Sequence, residues 1–413
     1  MRIIIANYRY FIAGGPEKYM FKFMDAAEKM GIEVIPFSVN NPQNEETPYS
    51  KYFAKPRSNQ IMYADTKKSI SNLIGMVRAT VWNYDAEKRL RHLIRDTKPD
   101  AVYILHEVNH LSPSIIRAAR KEKVRVVHRI SDFFMFCPKY DFLCENEICE
   151  ACLHGDYRKA IEHRCVKGSK AGTLLRVMAM KLYAAKVFDD VDQYICTCEF
   201  SKNKLIEGGI SKDKVTCVPT FIDATSITPC YEDDKYFLFL GRMAHQKGPI
   251  YAIEAMKYLK DTDYVLKITG QISDSEEDQK IWNYIKENKL EDKIVFTGFK
   301  HGKELQELIS HSTCIVCPAI WYENMPNTVI EAYAYGKPVV ASRIGSLAEI
   351  VEDNKTGLLF EMKNSKDFSD KLRKFIAEPT LSMTLGINAR HKVEEDYAVE
   401  KHMNSVIRIL EGK

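Results

Sequence analysis

No apolar run in this 413-residue chain approaches the roughly 20 residues that a membrane-spanning helix requires. Charge of one sign is scarcely in excess: 60 basic against 56 acidic residues leave a net charge of +4, which argues against a nucleic-acid binder. The opening run Met1-Arg2-Ile3-Ile4-Ile5-Ala6 is too short for the core of a signal peptide, so a cytoplasmic chain is expected and the run reads as a first buried strand. With no export signal, the 11 cysteines read as reduced thiols that can include a metal site, and not as disulfides. Internal repeats of solenoid length and low-complexity tracts are also missing. So is the G-x-G-x-x-G fingerprint of dinucleotide binding after the first strand.

What is present is a regular alternation of strand and helix patterns, which predicts an α/β fold with doubly wound parallel sheets. Buried strands are expected at 2–6, 33–37, 101–105, 124–128, 193–197 and 215–218, and again at 236–240, 264–268, 293–296, 313–317, 338–341 and 357–360. Two domains follow, 1–222 and 236–394, joined by an aperiodic linker at 223–235. A last helix lies within 395–413.

The most informative stretch is 317–345, CPAIWYENMPNTVIEAYAYGKPVVASRIG. Glu323 and Glu331 are eight residues apart, and Pro326-Asn327-Thr328 between them reads as the first turn of a helix, with proline at the first helical position. Unpaired amides at such an end attract anions. The apolar pattern from Val329 ends at Gly336 and feeds the strand Pro338-Val339-Val340-Ala341. A bare pair of glutamates around a helix is usually one cap and one solvated side chain; the surroundings make this pair informative.

Upstream, 236–248 reads YFLFLGRMAHQKG, a strand followed by Gly241-Arg242 and Lys247-Gly248. Two cations on a strand-loop-helix edge can neutralise a diphosphate, the arginine through its planar fork and the lysine as a point charge. A glycine loop follows the first strand, Gly14-Gly15-Pro16-Glu17-Lys18-Tyr19, where backbone can approach a ligand closely.

In their order and spacing these motifs resemble those of retaining glycosyltransferases of the family-four (group 1) type over nearly the whole chain. The resemblance implies a GT-B fold, two Rossmann-like domains facing an interdomain cleft, with the C-terminal helix crossing back onto the first domain. It also implies metal-independent transfer of a hexosyl group from a nucleotide-diphosphate sugar to a hydroxyl of a growing glycan, either free or lipid-linked. Glu323 would then orient the donor sugar, Glu331 would bind the ribose, and Arg242 and Lys247 the diphosphate. The amides around Asn327 and Thr328 would meet the distal phosphate, Gly14, Gly15, Gly241, Asn324, Met325 and Pro326 the donor, and the backbone near Gly298 and Phe299 the base. Two alternatives stay open: a nucleotide-sugar 2-epimerase, and a non-catalytic sugar-nucleotide-binding partner of another transferase.

One departure concerns the strand at 124–128. Relatives continue into a His-Asp pair, whereas here the run is His128-Arg129-Ile130-Ser131-Asp132, with serine in the histidine's place. Serine does not titrate near neutral pH but can hydrogen-bond a sugar hydroxyl. His106, at the end of the strand 101–105, is the substitute candidate on the acceptor side, beside Ser131 and Asp132.

Five cysteines, 137, 144, 149, 152 and 165, fall within 29 residues. Cys149-Glu150-Ala151-Cys152 is the tight pair a tetrahedral ion needs, and Cys137 and Cys165 could close a structural zinc site. An iron–sulfur cluster and unliganded thiols are the other readings. A subset of the similar family carries an insertion with cysteines matching 137, 149, 152 and 165. Finally, basic residues on apolar-periodic backgrounds at 67–95 and 167–188 could lie on an anionic membrane, placing the chain at its inner face; a solvated domain face is the plainer reading.

Overall fold

A computed structural model describes residues 1–56, 81–108, 110–270 and 275–413. The chain forms two compact units, Met1–Cys144 with Cys149–Val218 and His402–Lys413, and Glu145–Ile148 with Pro219–Lys401.

The first unit is built on β1 (Arg2–Asn7), β2 (Glu33–Phe37), β3 (Ala101–His106), β4 (Arg125–Arg129), β7 (Gln193–Cys196) and β8 (Val215–Cys217), while β5 (Leu143–Cys144) and β6 (Glu147–Ile148) form a separate two-stranded ribbon. Its sheet runs β2-β1-β3-β4-β7-β8 with parallel neighbours throughout. The second unit repeats the plan with β9 (Tyr236–Leu240), β10 (Val265–Thr269), β11 (Ile294–Phe296), β12 (Cys314–Cys317), β13 (Val339–Ser342) and β14 (Gly357–Phe360), in the order β11-β10-β9-β12-β13-β14. All twelve expected strands are present, each within a residue or so of its expected bounds. The reason is visible in β1, where Ile3, Ile4 and Ile5 are all fully buried. A parallel sheet covered on both faces demands continuous apolar runs, and each such side chain contributes about 1.5–3 kcal/mol when removed from water.

Register decides which loops meet. Ile104 pairs with His128, so the segments leaving β3 and β4 emerge side by side. Val316 pairs with Phe239, which does the same for the loops leaving β9 and β12. Ligands of open parallel sheets bind at these carboxyl ends.

The helix Asn327–Ala334 ends at Gly336, which adopts φ 71° and donates its amide to Tyr333, while Lys337 donates to Ala332. A Cβ there would come within 2.7 Å of the Tyr231 ring, so only glycine closes this turn. The segment 223–235 is not a free linker. Ile222 and Ala224 join the second unit's core, and Arg390 donates to the carbonyls of Ala224 (2.7 Å) and Ile227 (2.8 Å), so the unit begins at Pro219. From His402 onward the last helix, Val399–Glu411, belongs to the first unit: His402 Nε2 lies 2.9 Å from the Tyr19 hydroxyl, and Arg125 Nε donates to Ile409.

Candidate functional site

In the second unit, Arg242, Lys247 and Glu323 lie on the loops that leave β9 and β12. After β12 the chain runs through Trp321 and Glu323 to the helix Asn327–Ala334, and after β9 through Gly241, Arg242 and Lys247 to the helix Pro249–Met256. The two loops are stapled by a bond from the Ile320 amide to the Gln246 carbonyl (3.0 Å). Gly248 sits at the closest approach, with φ 67°; a Cβ there would stand 1.9 Å from the Pro318 carbonyl oxygen. This contact delivers Lys247 to Glu323. Lys247 Nζ donates to Glu323 Oε1 at 2.6 Å, and Trp321 Nε1 donates to the same oxygen at 2.7 Å. Ser346 Oγ fixes the Glu323 backbone through its carbonyl (2.7 Å). Glu323 is only 8% exposed, so a carboxylate with two donors is held out of bulk water, where its field is strong.

Pro326 is not the first helical residue but the cap, with φ −71° and ψ 111°, and the helix proper starts at Asn327. The shift leaves the amides of Asn327 and Thr328 in the first turn, where a helix has no internal acceptor for them. Met325 Sδ accepts from the Thr220 amide, and Asn324 lies between it and Glu323. Glu331 is half-buried within that helix. Arg242 is exposed and makes no ion pair or hydrogen bond among the described residues. Gly298 and Phe299 follow β11 at the sheet edge, and the Phe299 ring is 70% exposed, an apolar face open to stacking.

In the first unit, His106, Ser131 and Asp132 line one pocket, open to solvent, at the ends of β3 and β4. His106 Nε2 lies 3.4 Å from Asp132 Oδ2. Asp132 also accepts from the Phe134 amide (2.9 Å), and Ser131 spends its hydroxyl proton on the Leu105 carbonyl (3.1 Å). Behind them His128 and Glu107 form a buried pair at 3.1 Å. Burial opposes ionisation of Glu107, but His128 and then His106 offset it and hold the carboxyl below its ordinary range. Burial acts most strongly on Asp132 and, against the pull of His106, holds it above its usual 3.8. For a carboxyl raised on folding, the stabilising contribution is present below pH 3.8 and is lost as pH rises through the folded value. Asp132→Asn, which keeps the Phe134 bond, is therefore expected to melt higher than the parent at neutral pH, with the gain shrinking as pH falls toward 3.8. A lower melting point at neutral pH would show that the His106 contact outweighs burial. The glycine loop lies in the same unit: Gly14 caps the helix Gly15–Lys29 in extended backbone, and a Cβ on it would touch the Glu17 carboxylate at 3.4 Å.

Cys137, Cys144, Cys149, Cys152 and Cys165 are all free thiols and all line a second pocket, with His163 beside them. Burial above all pushes Cys137 up to about 11 and Cys152 and Cys165 up to about 12, with the neighbouring thiols adding to the last two. In the second unit, Cys230, Glu232 and His311 bring ligand atoms within 4.8 Å of one another. There the histidine is shared among Glu232, Asp234 and Glu307, all with exposed side chains, the arrangement of a surface ion-pair network.

Residues 13–226 match the family described as Glycosyltransferase Family 4, and residues 224–392 match Glycosyl transferases group 1. The chain belongs to this glycosyltransferase family. An uncharacterized glycosyltransferase of Methanocaldococcus jannaschii is 30% identical over 220 residues, 53% of this chain and 59% of that protein. An Escherichia coli UDP-Gal:alpha-D-GlcNAc-diphosphoundecaprenol alpha-1,3-galactosyltransferase is 23% identical over 247 residues, 55% of this chain and 61% of that protein. The matched regions thus span about three-fifths of these curated relatives. Among solved structures, Anabaena HepE in complex with UDP-glucose superposes with a TM-score of 0.69 at 14% identity, covering 100% of both chains. At that identity the likeness establishes the fold, which is GT-B with two Rossmann-like domains.

For a family-four glycosyltransferase, the chain has features that its motifs did not disclose. Trp321, two residues before Glu323, supplies a second donor to the carboxylate; the W-x-E spacing was the available signal. Glu107 and His128 had none, because only strand register brings them together. Two Asp-x-Asp runs exist, and their carboxylates are engaged. Asp190 pairs with Arg117 and Asp192 with Arg120, while Asp261 pairs with Arg373 and Asp263 with Lys235. Residues 67–80 of the expected basic stretch lie outside the described residues; further along it, Arg89 pairs with Asp85, and Arg91 and Arg95 share Glu122. No helix among the described residues is long and apolar enough to cross a membrane.

Proposed function

We propose that this family-four glycosyltransferase moves a hexosyl group, with retention, from a nucleotide-diphosphate sugar to a hydroxyl of a growing glycan. The observation that carries this reading is the Lys247–Glu323 contact at 2.6 Å, with the exposed Arg242 on the same loop as Lys247 and the helix start at Asn327 and Thr328 following Glu323 in the chain. A diphosphate between these groups would meet Arg242 as a fork and Lys247 as a point charge. Negative charge developing on the leaving nucleoside diphosphate is stabilised by fixed cations without a metal. Glu323, fixed by Trp321 and Lys247, orients the sugar and counters positive charge at the anomeric carbon. Glu331 takes the ribose diol, and the exposed Phe299 ring offers a stacking face for the base.

On the acceptor side, His106 backed by Asp132 takes the role that Ser131 cannot, receiving or relaying the acceptor proton. A lipid-linked acceptor at the cytoplasmic membrane face accords with the diphosphoundecaprenol-linked acceptor in the name of the E. coli relative. It also accords with the helix Lys170–Lys186, which exposes Leu174 and Met178 beside Lys170 and Lys181.

Incubation with donor alone and with a glycan acceptor, followed by assay of nucleoside diphosphate, tests the proposal. Acceptor-dependent release is expected. Epimerisation of the donor at C2 without acceptor would assign the chain to the isomerase reading instead. Ser131 favours a non-catalytic binding partner as the second reading, and that reading requires release to be absent although donor binds.

A further inference from the structure

The segment 137–167 contains little regular secondary structure. Its regular structure is limited to the two-residue strands β5 and β6 and the five-residue helix Arg158–Glu162. Phe142, Leu143 and Leu153 are buried, and Cys152, Tyr157 and Ala160 cluster with Val177 and Met180 of the helix Lys170–Lys186. The backbone is also costly. Of thirteen non-glycine residues with positive φ among the described residues, six lie in this segment: Tyr140, Phe142, Glu145, Asn146, Arg164 and Lys167. Side chains disfavour that region, so the conformation persists only where something over-determines it.

The five thiols and His163 face a single pocket in this segment. All five are free thiols, and no disulfide forms among them. We infer that Cys137, Cys149, Cys152 and Cys165 hold one structural zinc ion; the fifth thiol, Cys144, and His163 line the same pocket. Four thiolates close a tetrahedral site and leave no open position, which is the mark of a structural and not a catalytic ion. Zinc binds thiolates, so loading the site would release protons.

The site has a consequence for the acceptor pocket. The Cys137 amide bonds to the Phe133 carbonyl (2.8 Å), one residue after Asp132. Met180 packs against Cys152 and also lines the pocket that holds His106 and Asp132. Arg176, a turn earlier on the same helix, covers the Phe134 ring at 5.0 Å. The ion would therefore fix one wall of that pocket.

Metal content of the purified protein tests the inference without any activity assay. About one zinc per chain is expected. In wild-type protein an organomercurial that blocks thiolates should release it to a metallochromic dye, and the stripped protein should become open to proteolysis within 137–165. Cys149→Ser and Cys152→Ser should each lose the ion, and Cys144→Ser should keep it. Zinc-free protein with freely reactive thiols overturns the inference, as does iron with acid-labile sulfide. Loss of zinc in Cys144→Ser to the same degree as in Cys149→Ser overturns the ligand set.

Discussion

Glu323→Gln is expected to lower turnover by about two to three orders of magnitude, the scale on which a fixed charge at a reacting centre acts. The amide is isosteric and can still accept from Trp321, so the loop keeps its shape. What disappears is the negative charge 2.6 Å from Lys247 and the field it directs at the anomeric carbon. Donor affinity should hold or rise, because a carboxylate near a diphosphate opposes its binding. Single-turnover release of nucleoside diphosphate, alongside calorimetry with the donor, separates the two effects. Unchanged turnover with intact binding would mean that Glu323 is structural, and the chain would then be a sugar-nucleotide binder. Loss of binding together with turnover would instead place Glu323 in ground-state recognition.

The second large effect is expected from Gly248→Ala. The new methyl would need to sit 1.9 Å from the Pro318 carbonyl oxygen, and it would do so on a residue with φ 67°. A flexible side chain could give way, but a backbone carbonyl at the end of a buried strand cannot. Left-handed strain adds about 1–2 kcal/mol to the clash, so a destabilisation of about 3 kcal/mol is expected for the second unit. The functional loss should exceed the stability loss, because Gly248 sets the approach of Lys247 to Glu323. Thermal melting and donor titration check both. A variant that melts with the parent and binds donor normally would show that the two loops are not locked together as the Ile320–Gln246 bond indicates.

Much of the fold was legible because parallel strands buried on both faces must be written as apolar runs, as in the strand Arg2–Asn7 or Cys314–Cys317. Boundaries were harder. Pro326 reads equally well as cap or first helical residue, since either place lacks a need for its amide hydrogen, and only backbone angles decide. The stretch 223–235 looked like a linker because it has no period. Its anchoring comes from Arg390, more than 150 residues away, and from the close fit of Tyr231 against Gly336. Within the donor region, Glu323, Glu331, Arg242 and Lys247 stand out by spacing, whereas the Lys247–Glu323 contact itself depends on how two loops pack. On the acceptor side, the sequence discloses that histidine is missing at 131 but not that His106 meets Asp132, a consequence of β3–β4 register.

The central claim, that the second unit is built around a nucleotide-diphosphate sugar, is tested most directly by melting the protein against a panel of UDP-, GDP- and ADP-sugars. Ligand at about 100 times its dissociation constant should add about 2.7 kcal/mol to stability, so one base class should raise the melting point. Arg242→Ala and Glu331→Ala should each cut that rise sharply, and Asp132→Asn, on the other unit, should leave it intact. A panel in which no nucleotide sugar moves the transition, or in which Arg242→Ala and Glu331→Ala respond like the parent, would contradict the account.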